Sequence, residues 1–223
     1  MERRFIRNIP TITEAQQSLL RTKCAAIIGC GGLGGYAAEM LARSGVGALT
    51  VCDGDMFEES NLNRQNLALP ENLGQNKALA AAERIRAIEE GIALRAFPEY
   101  FTAENAEMIL AGADIVIDAL DSAAARLVLE IECAKRGIAL IHGAVEGFSL
   151  QVAVLAPGSG GLKRLYASAA ERAVKSVLAP TAAVCAGLQC AEALKILCGE
   201  ESPLLGKLML GDLESMEFHT ISL

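Results

Sequence analysis

No run of apolar residues in this 223-residue chain is long enough to cross a bilayer, and the opening residues MERRFIRNIP carry no apolar segment of the secretory kind. The expected location is therefore cytoplasmic, with no membrane partner. Basic residues are also few: 20 Lys and Arg stand against 27 Asp and Glu, a net charge of -7 with a pI near 5.0. Such a balance does not supply the electrostatic footprint of a general nucleic-acid binder. Paired cysteines are missing too. The seven cysteines, at 24, 30, 52, 133, 185, 190 and 198, include no Cys-x-x-Cys pair, and none lies between Cys133 and Cys185. A tetrahedral thiolate zinc site needs four cysteines so placed, so no structural zinc is expected. Their odd number and apolar surroundings read as free, buried thiols in a reducing compartment. Neither an internal repeat nor a linker interrupts the chain, so one unit over 1–223 is expected.

What the chain has in plenty is apolar surface and glycine. A hydrophobic content of 52% is above the usual range, which favours an oligomer, most simply a homodimer. Glycine concentrates in one place: Gly29, Gly31, Gly32, Gly34 and Gly35 occupy five of seven consecutive positions. A short apolar run at 24–28 precedes them and a helical pattern at 36–43 follows, which gives strand, glycine turn and helix. A second apolar strand at 48–52 ends on Asp53. Backbone free of Cβ atoms comes close to a phosphate, the N–H groups of a first helical turn point at the anion, and an acidic residue after the second strand meets a ribose. This much fits a dinucleotide fold as well as any other nucleotide site. Close packing of strand on helix also uses glycine, but five in seven exceed what packing needs.

Further along come Asp55, Asn61, Arg64, Gln65 and Lys77. A diphosphate rarely has such a cluster of bases and amides after its second strand, whereas a triphosphate with magnesium, met by another anion, requires it. Lys77 opens a helical pattern at 77–88, where the helix dipole disfavours a cation unless an anion faces it. Strands follow at 93–97, 113–120, 138–142 and 148–155, and helices at 103–110, 122–135 and 181–197, with an antiparallel pair at 207–210 and 216–221. Alternation of strand and helix argues a Rossmann-like, doubly wound, mostly parallel α/β sheet with antiparallel C-terminal strands. Residues 1–22 form an arm and a helix capped by Thr13; 23–145 form the nucleotide-binding half. The mixed-sheet half, 146–223, contains a crossover loop at about 157–179. Asp121 ends the strand at 113–120, where it serves equally well as a helix N-cap.

Together, GCGGLGG at 29–35, DGD at 53–55, SNLNRQ at 60–65, GQNKA at 74–78, Asp121 and PTAAVCAGLQCAEALKIL at 180–197 resemble the adenylating family of ThiF, MoeB, HesA and the ubiquitin-activating enzymes. The resemblance covers nearly the whole chain. It implies an ATP-dependent adenylyltransferase that activates the C-terminal glycine carboxylate of a ubiquitin-like sulfur-carrier protein ending in Gly-Gly. By resemblance, Gly29, Gly31, Gly32 and Gly34 take the phosphates and Asp53 the ribose, with Asp55 and Ser122 alongside. Arg64 and Lys77 would be catalytic, oriented with the phosphates by Asn61 and Gln65, and Asp121 would hold Mg2+. Arg4, Phe5 and Arg7 match a pattern in which Arg7 enters the partner subunit's site, although a solvated basic tail reads as well. Two departures stand out. Ser122 replaces the family's usual Asn while Arg126 is retained, and the zinc cysteines are missing. Without a thiol in the crossover loop, and with Cys185 inside a helix, the reaction is expected to stop at the adenylate. Other readings stay open: adenylation of a peptide or tRNA carboxylate, a nicotinamide oxidoreductase, and a non-catalytic ATP-binding relative.

Overall fold

The computed structural model describes residues 2–167 and 176–223. After a short 3-10 helix at Arg3–Asn8, α1 (Glu14–Leu20) leads into β1 (Cys24–Ile28), α2 (Gly34–Ser44), β2 (Ala48–Cys52), α3 (Lys77–Ile88), β3 (Ala93–Phe97) and α4 (Ala106–Leu110). Then come β4 (Ile115–Asp118), α5 (Ala123–Arg136), β5 (Ala139–Glu146), β6 (Ser149–Leu155), α6 (Gly161–Tyr166), α7 (Ala179–Leu197), β7 (Lys207–Asp212) and β8 (Glu217–Ser222). The strands form one eight-stranded sheet in the order β3-β2-β1-β4-β5-β6-β7-β8. The pairs from β3 to β5 are parallel and those from β5 to β8 antiparallel.

Strand alternation divides the core. Ala25, Ile27, Ile115 and Ile117 face one apolar layer under α2, α3 and α7, while Ala26, Ile28 and Val116 face another under α4, α5 and α6. Both faces are therefore covered, as an all-parallel segment requires. The chain runs from β1 to β2 in one direction and from β3 across to β4 in the other, so the order reverses between β1 and β4. The carboxyl ends of these two strands open the crevice where ligands bind in such sheets.

Several boundaries differ from the expected ones. The helix after the glycine turn begins at Gly34 rather than 36, because the turn closes by bonding Gly35 N–H to the Gly31 carbonyl (3.1 Å). The fourth helix is shorter than 103–110, since Asn105 Oδ1 binds Thr102 N–H (2.8 Å) and holds the preceding residues in a turn. Strand β4 is confined to Ile115–Asp118, with Asp114 spent on Cys24 N–H (2.8 Å) before it and Asp118 folding back on Leu120 N–H (3.0 Å) after it. Of the expected crossover loop, 157–167 include α6, and 168–175 lie outside the described residues.

Candidate active site

The glycines of the turn do two different jobs. Gly29 has φ +95°, and a Cβ on it would stand 2.5 Å from the Ala119 carbonyl oxygen. On Gly34 a Cβ would fall 1.8 Å from the Gly29 carbonyl, and on Gly35 2.5 Å from Asn66 Oδ1. These three are dictated by packing, more than the sequence reading allowed. Gly31 and Gly32 are not: a Cβ on either meets nothing nearer than 3.6 Å or 3.8 Å, which is ordinary contact. Their missing side chains leave a cradle that the protein's own packing does not require.

Asp53 ties this turn to the next. Its Oδ2 accepts from Cys30 N–H (2.6 Å) and its Oδ1 from Asp55 N–H (2.8 Å). Burial pushes its carboxyl above the ordinary value, against those two bonds and the Lys77 charge. Asp55 lies between a cation and a phenol: Lys77 Nζ is 3.0 Å from Oδ2, and Tyr100 Oη donates to Oδ1 at 2.6 Å. Burial works to raise the Asp55 carboxyl, but the bonds from Tyr100 and Lys77 outweigh it and hold the carboxyl low. The same bond, with the Asp55 charge, raises the Tyr100 phenol. The anion that faces Lys77 at the start of α3 is thus Asp55, and Lys77 is itself buried.

Asn76 holds these pieces together. Its Oδ1 caps α3 by accepting from Ala78 N–H (2.9 Å) and Leu79 N–H (3.2 Å), and its Nδ2 donates to the carbonyls of Asp53 (3.0 Å) and Asp55 (3.1 Å). The sequence reading passed over this residue and Tyr100. An Asn directly before a helical pattern was the available signal for the first; nothing local announces the second.

The SNLNRQ segment is placed beside the glycine turn, with Arg64 Cγ 3.8 Å from where a Gly32 Cβ would stand and Gln65 Nε2 3.6 Å from that of Gly31. Its internal bonding differs from expectation. Arg64 Nη1 donates to the Ser60 carbonyl (2.9 Å) and Asn63 Oδ1 (2.8 Å), so Asn63 orients the guanidinium, a task assigned to Asn61 and Gln65. Asn61 Oδ1 instead accepts from Glu58 N–H (3.2 Å), and its carbonyl takes the N–H groups of Arg64 (3.1 Å) and Gln65 (3.0 Å). Gln65 is buried with an Oε1 that has no hydrogen-bond partner.

Across the crevice, Asp121 is exposed just beyond β4. The cap of α5 is Ser122, whose Oγ accepts from Ala125 N–H (3.2 Å), so the capping role open to Asp121 falls to its neighbour. The charge of Asp121 is among those that raise the Tyr100 phenol, after Asp55 and Asp53.

Arg7 is not brought here. It sits exposed on the N-terminal segment, which is anchored by buried Phe5, by Arg4 to Glu89 and to the Ile88 carbonyl, and by Asn8 Nδ2 to the Ser44 carbonyl (3.2 Å). Ser44 ends α2, an 11-residue helix that spans about 16 Å from the glycine turn. Cys185 and Cys190 are buried and pushed up to about 12 by desolvation, and Cys30 is raised by burial and by Asp53. Among the described residues no group of three or more His, Cys, Asp or Glu could hold a metal, and no helix is long and apolar enough to cross a membrane.

A doubly wound sheet with a glycine turn at its reversal point and Arg64 and Gln65 beside that turn defines a Rossmann-type α/β protein. The chain belongs to the ThiF family, whose sequence model matches residues 3–223. It is 34% identical over 229 residues to the sulfur carrier protein adenylyltransferase of Thermus thermophilus, covering 96% of this chain and 83% of that one. The SAMP-activating enzyme E1 of Haloferax volcanii is 33% identical over 214 residues, 93% of this chain and 79% of its own. The molybdopterin-synthase adenylyltransferase of Escherichia coli is 33% identical over 215 residues, 93% and 86% respectively. Among solved structures, E. coli MccB with ATP superposes with a TM-score of 0.83 at 20% identity, over 100% of this chain and 71% of MccB. PaaA does so with 0.79 at 25% identity, over 93% and 66%, so this chain spans about two thirds of such proteins.

Proposed function

We propose that residues 1–223 act as one adenylation unit. It takes ATP with Mg2+ and activates the C-terminal glycine carboxylate of a ubiquitin-like sulfur-carrier protein; the name of the Thermus thermophilus relative, a sulfur carrier protein adenylyltransferase, supports the carrier. The observation that carries this reading is the pair of glycines, Gly31 and Gly32, whose missing side chains would make no more than ordinary contact with Gln65 and Arg64, so that packing does not explain them. A polyphosphate fills such a space and takes up the N–H groups of the first turn of α2. Asp53, at the carboxyl end of β2, would hold the ribose, with Asp55 alongside.

The carrier carboxylate is ionised at neutral pH, so no general base is required. One of its oxygens attacks the α-phosphorus, the bond from that phosphorus to the bridging oxygen breaks, and pyrophosphate leaves with the electron pair. Two anions meet in this step. Arg64 and Lys77 offset their repulsion and the charge of the transition state. Lys77 exchanges Asp55 for a phosphate oxygen, a swap between two anions in reach of one buried ammonium. Magnesium, when bound, neutralises phosphate charge and fixes its orientation. The donor set fits it: an exposed Asp121, with no preformed cluster among the described residues, suits an ion that arrives on phosphates and needs only one or two carboxylates. Arg7 is held away from the site of its own chain, so a role for it in catalysis requires a second copy, a homodimer in which Arg7 acts in trans.

Pyrophosphate exchange into ATP, assayed with a panel of small β-grasp proteins ending in Gly-Gly, tests the reading. Exchange is expected with one carrier, and Arg64→Ala and Asp121→Ala should each lower it at least roughly 10²-fold, the scale of removing one transition-state charge contact. Full turnover in both variants would overturn the mechanism. Exchange supported by a free peptide carboxylate alone would move the substrate to that class.

A further inference from the structure

Under the loop that carries Asp121 lies a buried polar ring that none of the nucleotide motifs includes. Asp118, His142 and Gln151 project from β4, β5 and β6 onto the face covered by α5 and α6, and Asp118 and His142 are register partners. His142 Nδ1 is 2.6 Å from Asp118 Oδ2, and both side chains are fully buried. With Nδ1–H donating to Asp118, Nε2 is left as an acceptor for Tyr166 Oη at 3.2 Å. Gln151 Nε2 donates to the same oxygen at 2.9 Å.

Tyr166 in turn governs Arg126. Its oxygen accepts from Arg126 Nη1 at 2.7 Å, and its ring centroid is 5.1 Å from the guanidinium carbon. Arg126 Nη2 donates to the Leu120 carbonyl at 2.5 Å, and its Nε stands 3.5 Å from Asp118 Oδ2. Leu120 N–H is bound by Asp118 Oδ1 at 3.0 Å. Both backbone groups of Leu120 are thereby held, and Asp121 is the next residue, followed at once by the Ser122 cap. A second bond set fixes α6 itself: Glu130, one turn along α5 from Arg126, accepts from Leu162 N–H (2.9 Å) and Lys163 N–H (3.1 Å).

We propose that Tyr166 is a positioning residue for Asp121, acting through the Arg126 guanidinium and the Leu120 carbonyl. The proposal rests on the adenylation reading, in which Asp121 meets the magnesium of MgATP. Loss of the Tyr166 hydroxyl leaves Arg126 Nη1 buried without an acceptor; the fork then turns toward Asp118, releases Leu120, and lets the Asp121 carboxylate move off its line.

Calorimetric titration of ATP, with Mg2+ and with a chelator, into wild type, Tyr166→Phe, Asp121→Ala and the double variant tests this. The ratio of the two ATP affinities isolates the magnesium contribution. Tyr166→Phe should lower that ratio roughly fivefold, within the range of couplings between contacting groups, and leave chelator-measured affinity within about twofold of wild type. The double variant should fall no further than Asp121→Ala alone. Arg126→Lys, which keeps the charge and loses the fork, should repeat the Tyr166→Phe result and serves if the latter does not fold. An unchanged ratio, equal weakening with and without Mg2+, or additive losses in the double variant would overturn the positioning role alone. Failure of the wild type to bind ATP would overturn the adenylation reading and this one with it.

Discussion

Gly31 and Gly34 stand three positions apart in one turn, yet substitution separates them. A methyl at Gly34 would lie 1.8 Å from the Gly29 carbonyl, so the backbone must shift and Gly34→Ala should unfold the turn and lower Tm by several degrees. At Gly31 the same methyl has ordinary contacts. Gly31→Ala should therefore keep its Tm, within about 0.5 kcal/mol in stability, and lose ATP affinity at least about tenfold as the methyl occupies the phosphate space. Thermal melts beside ATP titrations distinguish the two; equal loss of stability would remove the cradle argument. His142 makes a different residue-scale prediction. Burial lowers its imidazole below the usual 6.5 despite the Asp118 bond, so it is neutral in the fold and takes up a proton on unfolding. The unfolded chain binds more protons below that value, and stability falls as pH drops through it. Asp53, raised by burial, works in the opposite sense, since protonation relieves its cost. Tm should decline as pH falls through about 6.5, and the decline should be shallower in His142→Gln.

Elements meet the chemistry at their ends. The carboxyl ends of β1, β2 and β4, the first turn of α2 and the first turn of α3 converge on one crevice, and Asn76 is the fastener between α3 and the DGD loop. Asn76→Ala removes the cap of α3 and the two bonds to the Asp53 and Asp55 carbonyls. The expected cost is about 1–2 kcal/mol in stability, as for the loss of other helix caps. It should also raise the KM for ATP, because Asp55 and Lys77 lose their common support. A chemical-denaturation midpoint read with ATP kinetics checks both; a normal KM would confine Asn76 to capping. Helix α5 is organised similarly, with Ser122 as its cap and Arg126 and Glu130 facing α6, so its N-terminus carries Asp121 on a loop supported from below.

At the scale of the molecule, the N-terminal segment sets where Arg7 lies. Phe5, Arg4 and Asn8 bind it to the far ends of α2 and α3, which sets Arg7 at the edge opposite the crevice. On the proposal that Arg7 acts in trans, a working site needs two copies. Arg7→Ala and Asp121→Ala, each inactive alone, should recover about a quarter of wild-type exchange when mixed and allowed to reassort, since half the dimers are mixed and each has one complete site. No recovery, with reassortment shown by mass, would place the arginine outside the reaction.

The amino-acid sequence alone determined the alternation of strand and helix, the glycine turn after β1, the antiparallel closing strands and the family, because period, glycine and charge are local properties. Strand β1 and helix α3 are legible to the residue. Tertiary structure alone decided which glycines serve packing and which leave space, since that depends on Ala119 and Asn66, distant in the chain. It also decided that Asp55 faces Lys77, that Asn63 rather than Gln65 holds Arg64, and that Arg7 is remote from its own crevice. Asp118 and His142 were visible as polar residues within apolar runs, but their partners come from β6, α5 and α6. A polar residue inside an apolar strand announces that it needs a partner, and only the packing of the sheet supplies which one.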